Sequence, residues 1–218
     1  MTNSGLCGSH TWISSRRRHD PRLKSIPEPA DFNEVCRNRG HVWIAQKVLA
    51  DELPEPSKYP NYWAKYEGDL ANAFQERCGW GAMWIAEGDV EHFLSKKNRS
   101  DLIYEWSNYR YITGSLNGSK GNHDDKILDP FEVCDGWFEV ILPSMQLILT
   151  DRVPIPLRDK ARFTVKQLHL RDGTKLVRCR RRWYQSFKDG MPMSELEKFA
   201  PLVANAVKKL EQAGEPLP

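Results

Sequence analysis

Long apolar segments, paired cysteines and a strong net charge are all missing from this sequence of 218 residues. No apolar run approaches the roughly 20 residues that a membrane span requires, and the N-terminus lacks the apolar segment of a secretory signal. The five cysteines (Cys7, Cys36, Cys78, Cys134 and Cys179) are scattered and form no Cys-x-x-Cys pair. We therefore expect a cytoplasmic protein with reduced thiols, no membrane partner and no disulfide framework.

The composition is that of a folded chain. Hydrophobic residues make up 40% of the sequence, with 8 Trp, 7 Tyr and 8 Phe, and the length supports one domain with a sizeable core. The net charge is only +3, so any affinity for nucleic acid must come from local patches rather than from the whole surface.

One stretch carries the most chemistry. Residues 89–93 are typical of a short strand, and residues 109–112 form a second aromatic and β-branched run that would pair with it. Residues 114–121 then predict a short helix. The segment is expected to fold as strand, loop, strand and helix.

This folding would bring three polar side chains together, namely those of Glu91, His92 and Asn117. Carboxylate and amide oxygens are hard ligands that suit Mg²⁺ or Mn²⁺. A neutral imidazole can take a proton from water. Together these groups suffice to hydrolyse a phosphodiester.

The residues Glu91-His92, Asn108 and Asn117, with a nine-residue step between the two asparagines and Lys120 after them, resemble the HNH motif of ββα-metal nucleases. The resemblance implies that His92 is the general base and that Glu91 and Asn117 hold one divalent ion, Mg²⁺ or alternatively Mn²⁺. Asn108 would brace the loop that orients His92, and Lys120 would add positive charge near the phosphate. Many members carry Asp where this chain has Glu91, which should shift the metal slightly without removing it.

Two further regions bear on the resemblance. Residues 161–170 resemble the region after the HNH motif in small bacterial proteins, including nuclease subunits of Septu-type and retron-linked anti-phage systems. Those subunits work beside an ATPase, so a partner ATPase is expected here. Cys78 falls where many such proteins begin a Cys-x-x-Cys pair, but the second position is Gly81 and no second pair follows Ile112. No structural zinc is therefore expected.

Basic residues predict where nucleic acid would bind. Lys96 and Lys97 follow the proposed base and either touch the phosphate backbone or lie on a solvated loop. Residues 160–183 contain nine basic residues against one acidic residue, which suits phosphates as well as it suits a solvated helix face. Within that run we expect Arg178, Arg181 and Arg182 to lie on neighbouring faces of one helix. His123-Asp124-Asp125 is interpreted as a hydrated turn rather than a metal site.

Local signals predict the remaining elements. Asp31 with Glu34 predicts a capped helix start, and apolar residues at helical spacing predict a helix over residues 62–78. Residues 83–85 predict a strand in a hairpin with residues 90–92. Residues 131–142 and 146–150 predict further strands or extended segments, and a helix is expected over residues 175–187. Ser194, in a second capping box, predicts one last helix through Leu210.

The expected architecture is an α+β protein of one domain, in which an HNH finger is set into a mainly helical body. Its parts are a flexible basic segment (1–30), an N-terminal helical part (31–73), the finger (74–131) and a C-terminal part of extended segments and basic helices (132–218). The expected function is a metal-dependent endonuclease, with DNA favoured over RNA. A silent binding module and an RNA nuclease of the same mechanism are the alternatives.

Overall fold

The protein is described here by a computed structural model, which covers residues 26–50 and 54–218. It is mainly helical with two small antiparallel sheets, so the expected mixture of α and β structure is confirmed. A π-helical segment, Asn33–Asn38, continues into α1 (Arg39–Leu49). The other helices are α2 (Glu67–Ala73), α3 (Gly114–Lys120), α4 (Arg158–Gln167), α5 (Thr174–Lys188), α6 (Met193–Phe199) and α7 (Pro201–Ala213), and the strands are β1 (Asp89–His92), β2 (Tyr109–Ile112), β3 (Phe138–Ile141) and β4 (Gln146–Leu149).

The central stretch folds in the predicted order. Strands β1 and β2 pair antiparallel, with Asp89 opposite Ile112 and His92 opposite Tyr109. Helix α3 begins two residues after β2 ends. The two strands are joined by a loop that contains short 3₁₀ helices at Ser100–Leu102 and Trp106–Asn108.

This small sheet lies between two hydrophobic cores. Tyr109 and Tyr111 of β2 belong to an aromatic core with the N-terminal helices, whereas Ile112 belongs to a larger C-terminal core. The division follows from the alternation of side chains along a strand. Members of the aromatic core include Phe32, Trp63, Tyr66, Phe74, Tyr104 and Trp106, and members of the C-terminal core include Leu116, Phe138, Leu147, Val165, Tyr184 and Val203.

The C-terminal part is built on the hairpin of β3 and β4. A strand is confirmed in each of the two predicted segments, but β3 covers only the last part of residues 131–142, because Pro130–Glu132 form a 3₁₀ turn. Helix α7 packs on β3, and α5 packs on α6 and α7. The helix predicted over residues 175–187 is confirmed as α5, one residue longer at each end. No helix of the described residues is both long and apolar enough to cross a membrane.

Two predicted strand and helix boundaries are wrong because tertiary contacts prevail over local patterns. Met83 to Ile85 do not form a hairpin with β1. Instead Trp84 forms an isolated bridge with Arg77, and the amide of Ile85 donates to the carbonyl of Glu76. The helix predicted over residues 62–78 is a 3₁₀ turn followed by α2, and it stops at Ala73 so that the chain can reach this bridge.

The last predicted helix is two helices, α6 and α7. The break falls at Ala200 (φ −146°, ψ 66°), because the residue before a proline disfavours the helical region and Pro201 starts α7. The predicted capping roles are also wrong. The Ser194 side chain makes no capping hydrogen bond, and the carboxylate of Asp31 accepts a hydrogen bond from Lys65 instead.

The N-terminal segment predicted to be flexible lies mostly outside the described residues. Its last residues pack onto the body, because the Ile26 carbonyl accepts a hydrogen bond from the Trp106 indole and Glu28 forms an ion pair with Arg37. The thiols of Cys36, Cys78 and Cys179 are free, as predicted, whereas Cys134 is disulfide-bonded, which differs from the expected reduced set.

Candidate active site

The Glu91 carboxylate at the end of β1 is bound by a buried lysine. Lys120 Nζ lies 2.7 Å from Glu91 Oε1 and 3.1 Å from Asp124 Oδ1, and it donates to the His92 carbonyl at 3.2 Å. The Lys120 side chain is fully buried, and these contacts occupy the three donors of its ammonium group. Lys120 thus joins β1, α3 and the turn after α3, and its charge lies on Glu91 rather than at the surface, where a phosphate would bind.

Asp124 is the residue that sequence reasoning missed. It is 5% exposed, so the interpretation of residues 123–125 as a hydrated turn is wrong at this position. Its Oδ2 accepts hydrogen bonds from the Ser95 amide (2.7 Å) and the Asn98 side chain (2.9 Å). Burial raises the pKa of Asp124, but these bonds and the Lys120 charge outweigh it and hold the pKa below its usual value. The signal available in the sequence was its spacing of four from Lys120 along the chain.

The His92 ring points away from Glu91, as successive side chains of a strand do. It packs edge-on against Trp63 and Tyr109, with ring centroids 4.7 Å and 5.1 Å away. Its Nε2 lies 2.9 Å from the Ile103 carbonyl. A carbonyl only accepts, so Nε2 carries the proton and Nδ1 keeps the lone pair. Nδ1 makes no hydrogen bond with the described residues.

Burial lowers the pKa of His92 to about 3, assisted by the nearby charges of Lys96 and Lys120. The imidazole is therefore neutral at pH 7 with its lone pair on Nδ1, and the same burial opposes the uptake of a proton there. The Glu91 carboxylate shows the opposite trend. Its burial raises the pKa above the usual value, although the Lys120 charge acts to lower it.

Asn108 ties the loop after β1 to the start of β2. Its Oδ1 accepts from the Leu94 amide (2.8 Å), and its Nδ2 donates to the carbonyls of Leu94 (3.0 Å) and Leu102 (3.1 Å). The Asn108 carbonyl also accepts from the Phe93 amide at 2.8 Å. This placement is what the predicted bracing role of Asn108 requires, because Phe93 and Leu94 directly follow His92.

Asn117 lies halfway along α3, and α3 runs beside β1. At the start of the helix, a Cβ on Gly114 would lie 2.9 Å from Asp89 Oδ2, and at its end Lys120 binds Glu91. Asn117 is half-buried, and its side chain makes no hydrogen bond with the described residues. The structure does not bring the Asn117 amide into contact with Glu91 or His92. Asn117 lies three residues before Lys120 in α3, and residues at this spacing are neighbours on the surface of a helix.

A second buried ion pair supports the sheet from the other strand. Arg110, which lies opposite Glu91 in the register, forms a two-pronged pair with Asp129 at 2.8 Å and 2.6 Å. Its guanidinium also lies 3.9 Å from the centroid of Phe131. These contacts keep Arg110 away from Glu91 and leave Lys120 as the cation on that carboxylate.

The residues predicted to bind nucleic acid occupy separate parts of the molecule. Lys96 is half-buried with its ammonium 4.9 Å above the Trp63 ring, beside His92, and Lys97 is exposed. On α5, three arginines (Arg178, Arg181 and Arg182) are exposed. Helix α5 packs on α6 and α7, whereas β1 packs on α2 and α3, so the basic helix and the Glu91 and His92 site are built by different elements.

Comparison of the chain with protein-family models, curated proteins and solved structures finds no match.

Proposed function

We propose that the protein is a metal-dependent endonuclease that resembles HNH nucleases. The observation that supports the proposal best is the state of two atoms at the end of β1. His92 presents a neutral imidazole whose Nε2 is fixed by the Ile103 carbonyl, which leaves Nδ1 as the base. Next to it, Glu91 is a buried carboxylate with only Oε1 held by Lys120.

The donor types suit a divalent ion. Glu91 Oε2 makes no hydrogen bond with the described residues, and the Glu91 side chain keeps 9% of its surface exposed. The Asn117 amide oxygen is likewise not bonded to the described part of the chain. The resemblance assigns Glu91 and Asn117 as the protein ligands, and water would supply the others, as Mg²⁺ prefers.

In this proposal, side chains of the protein position the base and accept the proton. His92 Nδ1 takes a proton from a water molecule as the water oxygen attacks the phosphorus, the bond from phosphorus to the leaving oxygen breaks, and that oxygen takes a proton from solvent. The imidazole ring stays oriented because Trp63 and Tyr109 pack against it. Asn108 fixes the loop that carries the backbone after His92. Lys120 acts as a positioning residue that holds the Glu91 carboxylate between β1 and α3. A divalent ion held at Glu91 and Asn117 would stabilise the negative charge that develops on the phosphate oxygens.

The biological setting rests on the resemblance. The likeness of residues 89–120 and 161–170 to anti-phage nuclease subunits suggests an effector that works with a partner ATPase, with DNA favoured as the substrate. RNA is the second candidate substrate, because hydrolysis by an activated water does not require or exclude a 2′-hydroxyl. A silent binding module is the alternative from another class. The exposed arginines of α5 would serve any of these roles as a phosphate-binding surface.

Supercoiled plasmid and total RNA test the proposal when each is incubated with the full-length protein in Mg²⁺, Mn²⁺ or EDTA. We expect cleavage in Mg²⁺ or Mn²⁺, none in EDTA, and plasmid consumed faster than RNA. Consumption of RNA alone would establish the RNA nuclease. If neither substrate is cut but a gel-shift assay shows binding, the binding module is favoured and the enzyme proposal fails for the isolated chain.

A further inference from the structure

A large cavity lies in the C-terminal part, away from the residues discussed above. It has a volume of about 960 Å³ and is lined by the β3 and β4 hairpin, by α6 and α7, and by the turn that contains Gln75 and Arg77. This volume is at the upper end of the range for small-molecule sites, which is about 300 to 1,000 Å³. Part of its lining is apolar and includes Phe138, Val140, Leu142, Leu202 and Ala206.

Arg77 is a buried cation in the lining of this cavity. It is 2% exposed, and its Nε is buried without any hydrogen-bond partner. The guanidinium makes one side-chain hydrogen bond, from Nη2 to Gln75 Oε1 at 2.6 Å. No carboxylate of the described residues pairs with it. Burial lowers the pKa of Arg77 to about 10, so the group still carries its charge at neutral pH.

Arg180 provides the internal comparison. It is equally buried, at 1% exposed, and burial likewise lowers its pKa to about 10. Its guanidinium, however, donates to the carbonyls of Met145, Leu170 and Arg171. Arg180 therefore is a structural arginine whose donors are used, whereas Arg77 lines a cavity with donors unused. Buried charges are rare in proteins unless they are paired.

The chain reaches this arrangement through a strained turn. Gln75 and Glu76, which directly precede Arg77, both adopt the left-handed region, with φ of 56° and 54°. This conformation costs energy for residues other than glycine. The turn places the Gln75 amide against the Arg77 guanidinium and brings both side chains to the cavity.

We propose that this cavity binds a small phosphate monoester, with the Arg77 guanidinium receiving the phosphate and the apolar part of the lining receiving the organic part. A guanidinium forks onto phosphate oxygens with two parallel hydrogen bonds. Two of the acids in the lining are already paired with lysines, Glu139 with Lys209 and Glu197 with Lys208, which reduces their repulsion of an anion. The site shares no residue with the Glu91 and His92 site, so it stands whether or not the protein is a nuclease.

Thermal unfolding and calorimetry of the full-length protein test this site, with inorganic phosphate, adenosine monophosphate and adenosine as probes and potassium chloride at matched ionic strength. We expect both phosphates to raise the melting temperature in a saturable way, the nucleotide at lower concentration, and adenosine to have little effect. In Arg77→Met the affinity for adenosine monophosphate should fall at least tenfold, while the melting temperature without ligand should not fall. Arg39→Met, which removes an exposed charge on α1, should bind as the wild type does.

Three outcomes would overturn the proposal. The first is a wild type that responds to neither phosphate. The second is an equal response in Arg77→Met, which would mean an adventitious ion only. The third concerns Arg77→Lys, which replaces Arg77→Met if the latter does not fold. Lysine keeps the positive charge but cannot form the two parallel hydrogen bonds of a guanidinium. Wild-type affinity for adenosine monophosphate in Arg77→Lys would therefore contradict the assigned role.

Discussion

At the scale of single residues, the candidate site depends on which atoms are already bonded. In Glu91, one carboxylate oxygen is held by Lys120, and in His92, one ring nitrogen is held by the Ile103 carbonyl. The remaining oxygen and nitrogen are the atoms with capacity for a ligand and a proton. The buried Lys120 is therefore assigned to position Glu91, where the sequence alone suggested a direct role near the phosphate.

Replacing Lys120 should be costly. In Lys120→Met, two buried carboxylates, Glu91 and Asp124, lose their cation, and we expect a loss of about 3 to 5 kcal/mol in the free energy of unfolding. Lys65→Met removes the exposed pair of Lys65 with Asp31, whose atoms lie 2.6 Å apart, and should cost less than about 1 kcal/mol. Urea denaturation measures both, and similar losses in the two variants would contradict the structural role of Lys120.

Asn108 should matter for stability as well as for the loop. Asn108→Ala removes three side-chain hydrogen bonds that tie Leu94 and Leu102 to β2, at an expected cost of about 2 to 4 kcal/mol. The exposed Asn205 on α7 is the matched control, and Asn205→Ala should stay within about 0.5 kcal/mol of the wild type. Chemical denaturation measures the free energy of unfolding of both variants. A loss in Asn108→Ala as small as that in Asn205→Ala would contradict the role of Asn108 in bracing the loop.

Asn117 separates metal binding from folding. Because its side chain makes no hydrogen bond within the described residues, Asn117→Ala should leave the free energy of unfolding nearly unchanged. Its affinity for Mg²⁺, measured by calorimetry, should fall at least about tenfold. The proposed ligand role of Asn117 would be refuted by unchanged Mg²⁺ affinity in this variant.

The sequence shows which residue types are available to the site but not what surrounds them. The adjacent Glu91-His92 and the spacing to Asn108 and Asn117 can be read directly along the chain. The burial of Asp124 cannot, because it results from the Ser95 loop folding over the turn after α3. A local pattern of His-Asp-Asp carries no information about what will cover it.

At the scale of elements, the packing of α1 against the loop between β1 and β2 fixes the wall behind His92. Gly40 of α1 lies against the Tyr104 ring, and a Cβ at Gly40 would come within 2.0 Å of it. Tyr104 in turn packs against Trp63, at 5.7 Å between ring centroids, and Trp63 contacts His92. This chain of contacts connects a helix outside the site to the orientation of the imidazole.

Two glycine substitutions test that packing. Gly40→Ala forces α1 away from Tyr104 and should lower the free energy of unfolding by about 1 to 3 kcal/mol. Gly68→Ala lies in α2 with no atom within 4 Å of the new Cβ, and it should instead stabilise by about 0.5 to 1 kcal/mol. Opposite signs in the two variants are the expected result, and a neutral Gly40→Ala would show that the close approach is not needed.

Elements with strong periodicity were predicted well, and those decided by long-range contacts were not. Helix α5 and the strands β1, β2 and β4 lie where alternation and helical spacing indicated, whereas β3 covers only part of its predicted segment. The segment 83–85 has the composition of a strand, but its partner is Arg77 rather than β1, and no local signal identifies a partner. Pro201 indicates a helix break at Ala200, because the residue before a proline disfavours the helical conformation. The prediction of one continuous helix followed the apolar spacing instead.

At the scale of the whole molecule, the β1 and β2 sheet joins two cores of different character. The aromatic core surrounds His92, while Glu91, Lys120 and α3 face the C-terminal core. The proposed base, His92, and the proposed metal ligand Glu91 therefore lie on opposite sides of one strand, at its end. The cavity lined by Arg77, the basic helix α5 and this strand end are three separate sites. Each of them is proposed to bind a phosphate group.

The role of His92 as the base is tested most directly by the rate of plasmid cleavage by His92→Ala in Mg²⁺, compared with the wild type and with His41→Ala, which removes an exposed histidine of α1. We expect His92→Ala to lose at least about 100-fold in rate, while it remains folded by circular dichroism and still binds Mg²⁺. His41→Ala should cleave as the wild type does. A folded His92→Ala protein that cuts at the wild-type rate would contradict the assignment of His92 as the base and, with it, the proposed mechanism.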